Sequence, residues 1–239
     1  MSQFPYQPQQ QQPRVIDGRT ADTAERERTF IRSVYAWMFG GLILTALAAL
    51  WVVASPAMQQ LIFGTPLRWV LIIGELGLVM YLSFRITKMS PATAASVFLV
   101  FALLNGLTLS VIFMVYTNAA IYQAFFTAAG MFGAMSIYGM VTKRDLTSWG
   151  SFFFMGLIGI VICSIINIFL KSSALGFAIS FIGVFVFLGL TAYDTQKLKA
   201  YATMPELREN LAVYGALALY LDFINLFLML LRLFGGRRD

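Results

Sequence analysis

Seven apolar runs, each close to 20 residues long and separated by short polar joints, occupy nearly all of the chain beyond Arg32. A helix needs about 20 residues to cross roughly 30 Å of hydrocarbon, so each run is long enough to be a membrane span. Barrel strands would appear as weaker, alternating segments of about ten residues, and no such pattern is present. Composition agrees: 59% of residues are hydrophobic, 12% are charged and the mean hydropathy is +0.76, far from a soluble globular domain.

The expected fold is an all-α integral membrane protein with spans near residues 33–53, 67–86, 92–114, 119–141, 151–170, 174–196 and 211–233. Pro56, Pro66, Pro91 and the polar stretches "TKRDLTS" and "ATMPELREN" supply the breaks. These joints are too short to house a soluble domain, so residues 29–239 read as one seven-helix membrane domain. Residues 1–28 are rich in Gln and Pro and lack an apolar core, which predicts a disordered cytoplasmic tail. No signal peptide is expected, because no apolar stretch with a small-residue cleavage site follows a basic start.

Two residue counts narrow the chemistry. The single cysteine, Cys163, excludes a disulfide within one chain and reads as a small buried hydrophobe. The absence of histidine removes Ser-His and Cys-His nucleophile pairs, the H-E-x-x-H zinc helix and histidine as a pH switch. Titration near neutrality would fall to a carboxylate. The net charge of +6 sits beside the spans rather than in a patch interleaved with exposed aromatics, which argues against nucleic acid. With the N-terminus in the cytoplasm, twelve Lys and Arg fall on the inner side and five on the outer, supporting that orientation. Arg232, Arg237 and Arg238 would then lie outside, so a re-entrant last segment competes with a full span; the full span is favoured.

Three of the eleven acidic residues, Glu75, Asp194 and Asp222, lie in or against the apolar runs. A charge at mid-membrane costs about 2.5–3.5 kcal/mol on insertion scales, so each needs a partner or a role. Asp194 and Asp222 are equally far from Arg208 in the sixth joint, and antiparallel helices bring such positions to one depth if the sixth helix continues past the membrane surface. Two carboxylates in hydrogen-bonding reach share one proton and titrate as a unit. Protonated, they would tie the last two helices together; deprotonated, they would push the helices apart and offer oxygen ligands to Ca²⁺. In the purely structural alternative each aspartate is satisfied by Tyr193, Tyr220, Asn225 or a backbone carbonyl and sets packing alone. Arg85 could reach Asp194 from the second helix or snorkel to headgroups. Asn105, Thr108 and Asn167 could add polar atoms to an internal pathway or act as interhelical glue. The pairs Gly40/Gly41, Gly74/Gly77 and Gly130/Gly133 suggest tight helix contacts.

The stretches "GLTLSVIFMVYT", "AGMFGAMSIYG", "TKRDLTSWG", "GLTAYDTQKLK" and "LYLDFINLFLMLLRLFG" resemble the transmembrane Bax-inhibitor-motif family in its bacterial branch, from about Arg32 to the C-terminus. The resemblance implies seven helices with the last surrounded by the other six, and a pH-sensitive Ca²⁺ leak. It also implies a di-aspartyl sensor between helices six and seven, Asp194 and Asp222 here, assisted by a helix-two arginine, for which Arg85 is the candidate. Glu75 resembles an acidic position along the ion path. Some bacterial relatives bind and restrain a membrane-anchored ATP-dependent protease.

The expected function is a pH-sensitive cation leak of the bacterial inner membrane, with Asp194, Asp222 and Arg85 as sensor and gate and Glu75, Asn105 and Asn167 along the path. Asp194 and Asp222 would be Ca²⁺ ligands; Ca²⁺ enters as a permeant ion and no cofactor is expected. The alternative is a modulator of a membrane protease without transport activity, and a proton-coupled exchanger is a variant of the leak. An enzyme is not expected: "LYLDFIN" lacks the glycine flank of intramembrane aspartyl proteases, and no matching proline motif follows it.

Overall fold

The structure, a computed structural model, describes residues 18–202 and 208–235. Nine α-helices and one short 3₁₀ turn account for the secondary structure among them: α1 (Gly18–Ala54), α2 (Pro56–Phe63), α3 (Leu67–Arg85), the turn Ile86–Lys88, α4 (Pro91–Leu109), α5 (Ile112–Val115), α6 (Asn118–Val141), α7 (Thr147–Leu170), α8 (Ser173–Ala202) and α9 (Arg208–Phe234). Seven helical segments are long and apolar enough to cross a membrane, matching the seven apolar runs. The 27-residue α9 is unbroken and about 40 Å long at 1.5 Å per residue, enough for a full crossing.

Local chemistry sets the breaks. Ser55, Ser90 and Thr117 each accept from the backbone N–H three residues on (Met58, 3.4 Å; Thr93, 3.1 Å; Ala120, 3.3 Å), opening α2, α4 and α6. Pro56 and Pro91 occupy the following position, where a missing N–H costs nothing. The helix α1 begins at Gly18, inside the stretch assigned to the tail. Residues 19–28, "RTADTAERER", contain neither Pro nor Gly and several strong helix formers, so the apolar helix extends back through them. Residues 1–17 lie outside the described residues, as do most of the sixth joint and Arg237 and Arg238.

The last span is the most deeply buried of the seven. It packs chiefly against α1, α4, α6, α8 and the turn after α3, whereas α7 leans mainly on α8 and remains peripheral. Backbones of neighbouring helices approach most closely where a glycine meets a carbonyl. A Cβ at Gly106 would lie 2.4 Å from the Thr45 oxygen, and one at Gly139 would lie 2.4 Å from that of Ala192. Of the six glycines the sequence paired, Gly41 does sit in a tight contact, where a Cβ would lie 2.6 Å from the Phe98 ring, whereas Gly40, Gly74, Gly77, Gly130 and Gly133 have nothing within 4 Å of such an atom, because their faces of the helices point away from the neighbouring elements.

Polar side chains tie the joints to the bundle. Gln196 of α8 donates to the Arg144 oxygen (2.8 Å) and accepts from Leu146 N–H (2.9 Å), holding the α6–α7 joint, and Lys199 donates to the Met140 oxygen. In that joint Asp145 accepts from the Thr147 hydroxyl (2.6 Å) and its N–H (2.9 Å), which hold the carboxyl below its usual range. Buried Asn210 donates to the oxygens of Ile86 (2.9 Å) and Met89 (2.7 Å), pinning the turn after α3 to the start of α9. Asn210→Ala leaves both carbonyls without this donor and is expected to cost about 1–3 kcal/mol, read as a lower unfolding temperature in detergent.

Candidate functional site

Asp194 and Asp222 line one cavity of about 450 Å³ between α3, α7, α8 and α9. The helix α8 does continue past residue 196, to Ala202, and this extension brings Asp194 to the depth of Asp222 across the joint. Asp222 is 5% exposed, and its Oδ2 has no hydrogen-bond partner among the described residues. A buried carboxylate oxygen left in this state is expensive unless a proton, a water or a cation reaches it.

The side chains offered as purely structural partners are placed as follows. Tyr193 lines the cavity beside Asp194. Asn225 also lines it, but its amide donates to the Leu221 oxygen one turn back (2.8 Å). Tyr220 serves a different centre. Residues two apart on a helix point in nearly opposite directions, so Tyr220 and Asp222 cannot face the same group.

The same geometry separates Arg85 from the cavity. It is Ser83 of α3 that lines it, and Arg85, two residues on, is exposed on the far side of the helix end. The cation that does line the cavity is Lys197, three residues after Asp194 on the same face of α8, whose charge acts on Asp194. Its ammonium sits over the rings of Tyr193 (5.8 Å) and Tyr201 (5.6 Å). The D-x-x-K spacing carried this signal in the sequence, masked by Lys197 reading as a topology charge.

Glu75 and Asn105 form a second polar centre. Glu75 accepts from the Asn105 amide (2.9 Å) and the Thr108 hydroxyl (2.9 Å). The Asn105 oxygen accepts from the Tyr220 hydroxyl (2.9 Å), which lies 2.6 Å from the Thr45 hydroxyl; Thr45 in turn donates to the Ala102 oxygen (2.8 Å). This chain links α3, α4, α9 and α1. Fully buried Tyr220 is held between Phe98 and Phe101, edge to face, at 5.9 and 5.7 Å.

Donor counting makes the chain sensitive to one proton. The Thr45 and Tyr220 hydroxyls carry two hydrogens for three contacts while the Asn105 amide faces Glu75. A protonated Glu75 can donate to a turned Asn105 amide, which then donates to Tyr220, Tyr220 to Thr45 and Thr45 to Ala102, with one donor for every contact. Asn167 stands apart from both centres, at the α7–α8 joint. No cluster of three or more acidic or cysteine side chains able to hold a metal occurs among the described residues. The aspartate pair supplies carboxylate oxygens, the donors Ca²⁺ prefers, but fewer than its usual six to eight ligands.

The family model for "Inhibitor of apoptosis-promoting Bax1" matches residues 27–239. The chain belongs to the Bax inhibitor family. It is 52% identical over 217 residues to "Inner membrane protein YbhL" of Escherichia coli (strain K12), covering 88% of this chain and 93% of that protein. It is 43% identical over 231 residues to "Uncharacterized protein RP147" of Rickettsia prowazekii (strain Madrid E), covering 92% and 98%. A "Bax1" match that starts at residue 27 leaves the Gln- and Pro-rich stretch outside the shared domain.

Proposed function

We propose that this Bax inhibitor family member is a passive, pH-sensitive cation leak of the bacterial inner membrane, with Ca²⁺ as the permeant ion and no enzymatic reaction. The observation that carries this reading is that two aspartates from adjacent spans line one cavity and that Asp222 keeps a buried oxygen without a partner among the described residues. A shared proton satisfies that oxygen and draws α8 and α9 together. Its loss leaves two negative charges that favour separation and a hydrated cation. Lys197 stands at the cavity as the countercharge, and Glu75 with Asn105 supplies further polar atoms within the bundle. The printed name of YbhL supports the inner membrane, and the twelve-to-five charge bias supports a cytoplasmic N-terminus.

The test is Ca²⁺ influx into dye-loaded liposomes from about pH 6 to 8, where a proton-sharing carboxylate pair can titrate. Wild-type flux is expected to rise with pH by up to about tenfold per unit, the limit for one proton. Asp222→Asn, folded by gel filtration, is expected to lose that slope. If neither protein conducts, or both respond alike, Asp222 is a packing anchor, and a role restraining a membrane protease becomes the reading to pursue.

A further inference from the structure

A second, larger cavity of about 1020 Å³ opens where the α7–α8 joint, the end of α9 and Tyr116 meet. It carries two formal positive charges, the exposed side chains of Lys171 and Arg232, and no Asp or Glu is among the described residues that line it. Ser164, Ser173 and Tyr116 add hydroxyl groups. Two cations on one concave wall, with no facing carboxylate among the described residues, raise the local potential and favour an anion.

The turn that shapes this wall is held by specific bonds. Lys171 ends α7 in the left-handed conformation (φ 50°), its N–H donating to the Asn167 oxygen (2.8 Å). The Asn167 side chain accepts from Ser172 N–H (3.0 Å), and the Ser172 hydroxyl accepts from Leu175 N–H (3.3 Å) to open α8. Asn167 is therefore engaged in building the turn. The arrangement holds Lys171 on the cavity wall and aims the start of the 30-residue α8 into the same space, adding its partial positive charge. Asp194 lies roughly 30 Å along α8 from Ser173, so this cavity is separate from the aspartate cavity.

We propose that this cavity binds a phosphate group, held by Lys171 and Arg232, from an anionic lipid headgroup or from free phosphate. Arg232 matches phosphate through its planar fork of donors and Lys171 as a point charge. The volume exceeds that of phosphate alone and accommodates a glycerol phosphate headgroup. The site does not depend on cation transport.

The experiment measures thermal unfolding of the full chain in neutral detergent, titrated with dioctanoyl phosphatidylglycerol, dioctanoyl phosphatidylcholine or inorganic phosphate. Saturable stabilisation by phosphatidylglycerol, exceeding that by phosphatidylcholine, is expected. Lys171→Asn, a residue that tolerates the left-handed conformation, and Arg232→Gln should each weaken apparent affinity about tenfold. Arg68→Gln, whose guanidinium lies over Trp69 outside the cavity, should leave it unchanged. Stabilisation by inorganic phosphate that competes with the lipid would assign the site to free phosphate; stabilisation by the lipid alone would assign it to a headgroup. The proposal is overturned if neither ligand stabilises saturably, or if Arg68→Gln weakens binding as much as the two cavity variants.

Discussion

Gly106→Val is expected to leave little or no folded protein. A Cβ at this position would sit 2.4 Å from the Thr45 oxygen and 2.7 Å from the Ala48 Cβ, inside the contact between α4 and α1. The obstacle is backbone on one side, which no rotamer change relieves. Moving α1 away would also break the Thr45 bonds to Ala102 and Tyr220. Overpacking with a free side chain costs about 1–3 kcal/mol; against rigid backbone and with two hydrogen bonds lost, more than about 4 kcal/mol is expected. Gel filtration and thermal unfolding in detergent read the result. Gly77→Ala is the control, since its Cβ meets nothing within 4 Å, and is expected to be neutral or slightly stabilising. If Gly106→Val folds with wild-type stability, the close approach of α1 and α4 is incorrect.

Tyr220→Phe is the second large effect, because one hydroxyl joins two halves of a polar chain. Its loss leaves Asn105 without its donor and Thr45 without its second contact while preserving the edge-to-face packing on Phe98 and Phe101. A loss of about 1–3 kcal/mol is expected, at the upper end of hydrogen-bond effects in membranes because two contacts go at once. The decisive measurement is a double-mutant cycle with Glu75→Gln. The two residues are linked through Asn105, so their effects should fall short of additive by at least about 0.5 kcal/mol. Additive losses would mean that Tyr220 and Glu75 stabilise the bundle independently.

Much of the architecture follows from residue order alone. Bilayer thickness dictates the length of an apolar run, and Pro and polar stretches mark the breaks, so the spans could be read to within a few residues except at the start of the first and the end of the sixth, where the helices run on beyond the apolar stretch. Equal distance from a joint likewise brought Asp194 and Asp222 together, because an antiparallel pair has only one depth coordinate.

Direction around each helix was not legible in the same way. In a uniformly apolar span the usual contrast between buried apolar and exposed polar faces vanishes, since lipid and core solvate the same side chains. Only packing of whole helices could place Lys197 rather than Arg85 at the aspartates, turn Tyr220 toward Asn105 instead of Asp222, and bring Gly106 against the α1 backbone while leaving five of the six paired glycines open. Residue order settles how many helices cross and which carboxylates lie within them. Which neighbours those carboxylates meet emerges only in the packed bundle, because rotation about a helix axis is set by contacts among several helices at once.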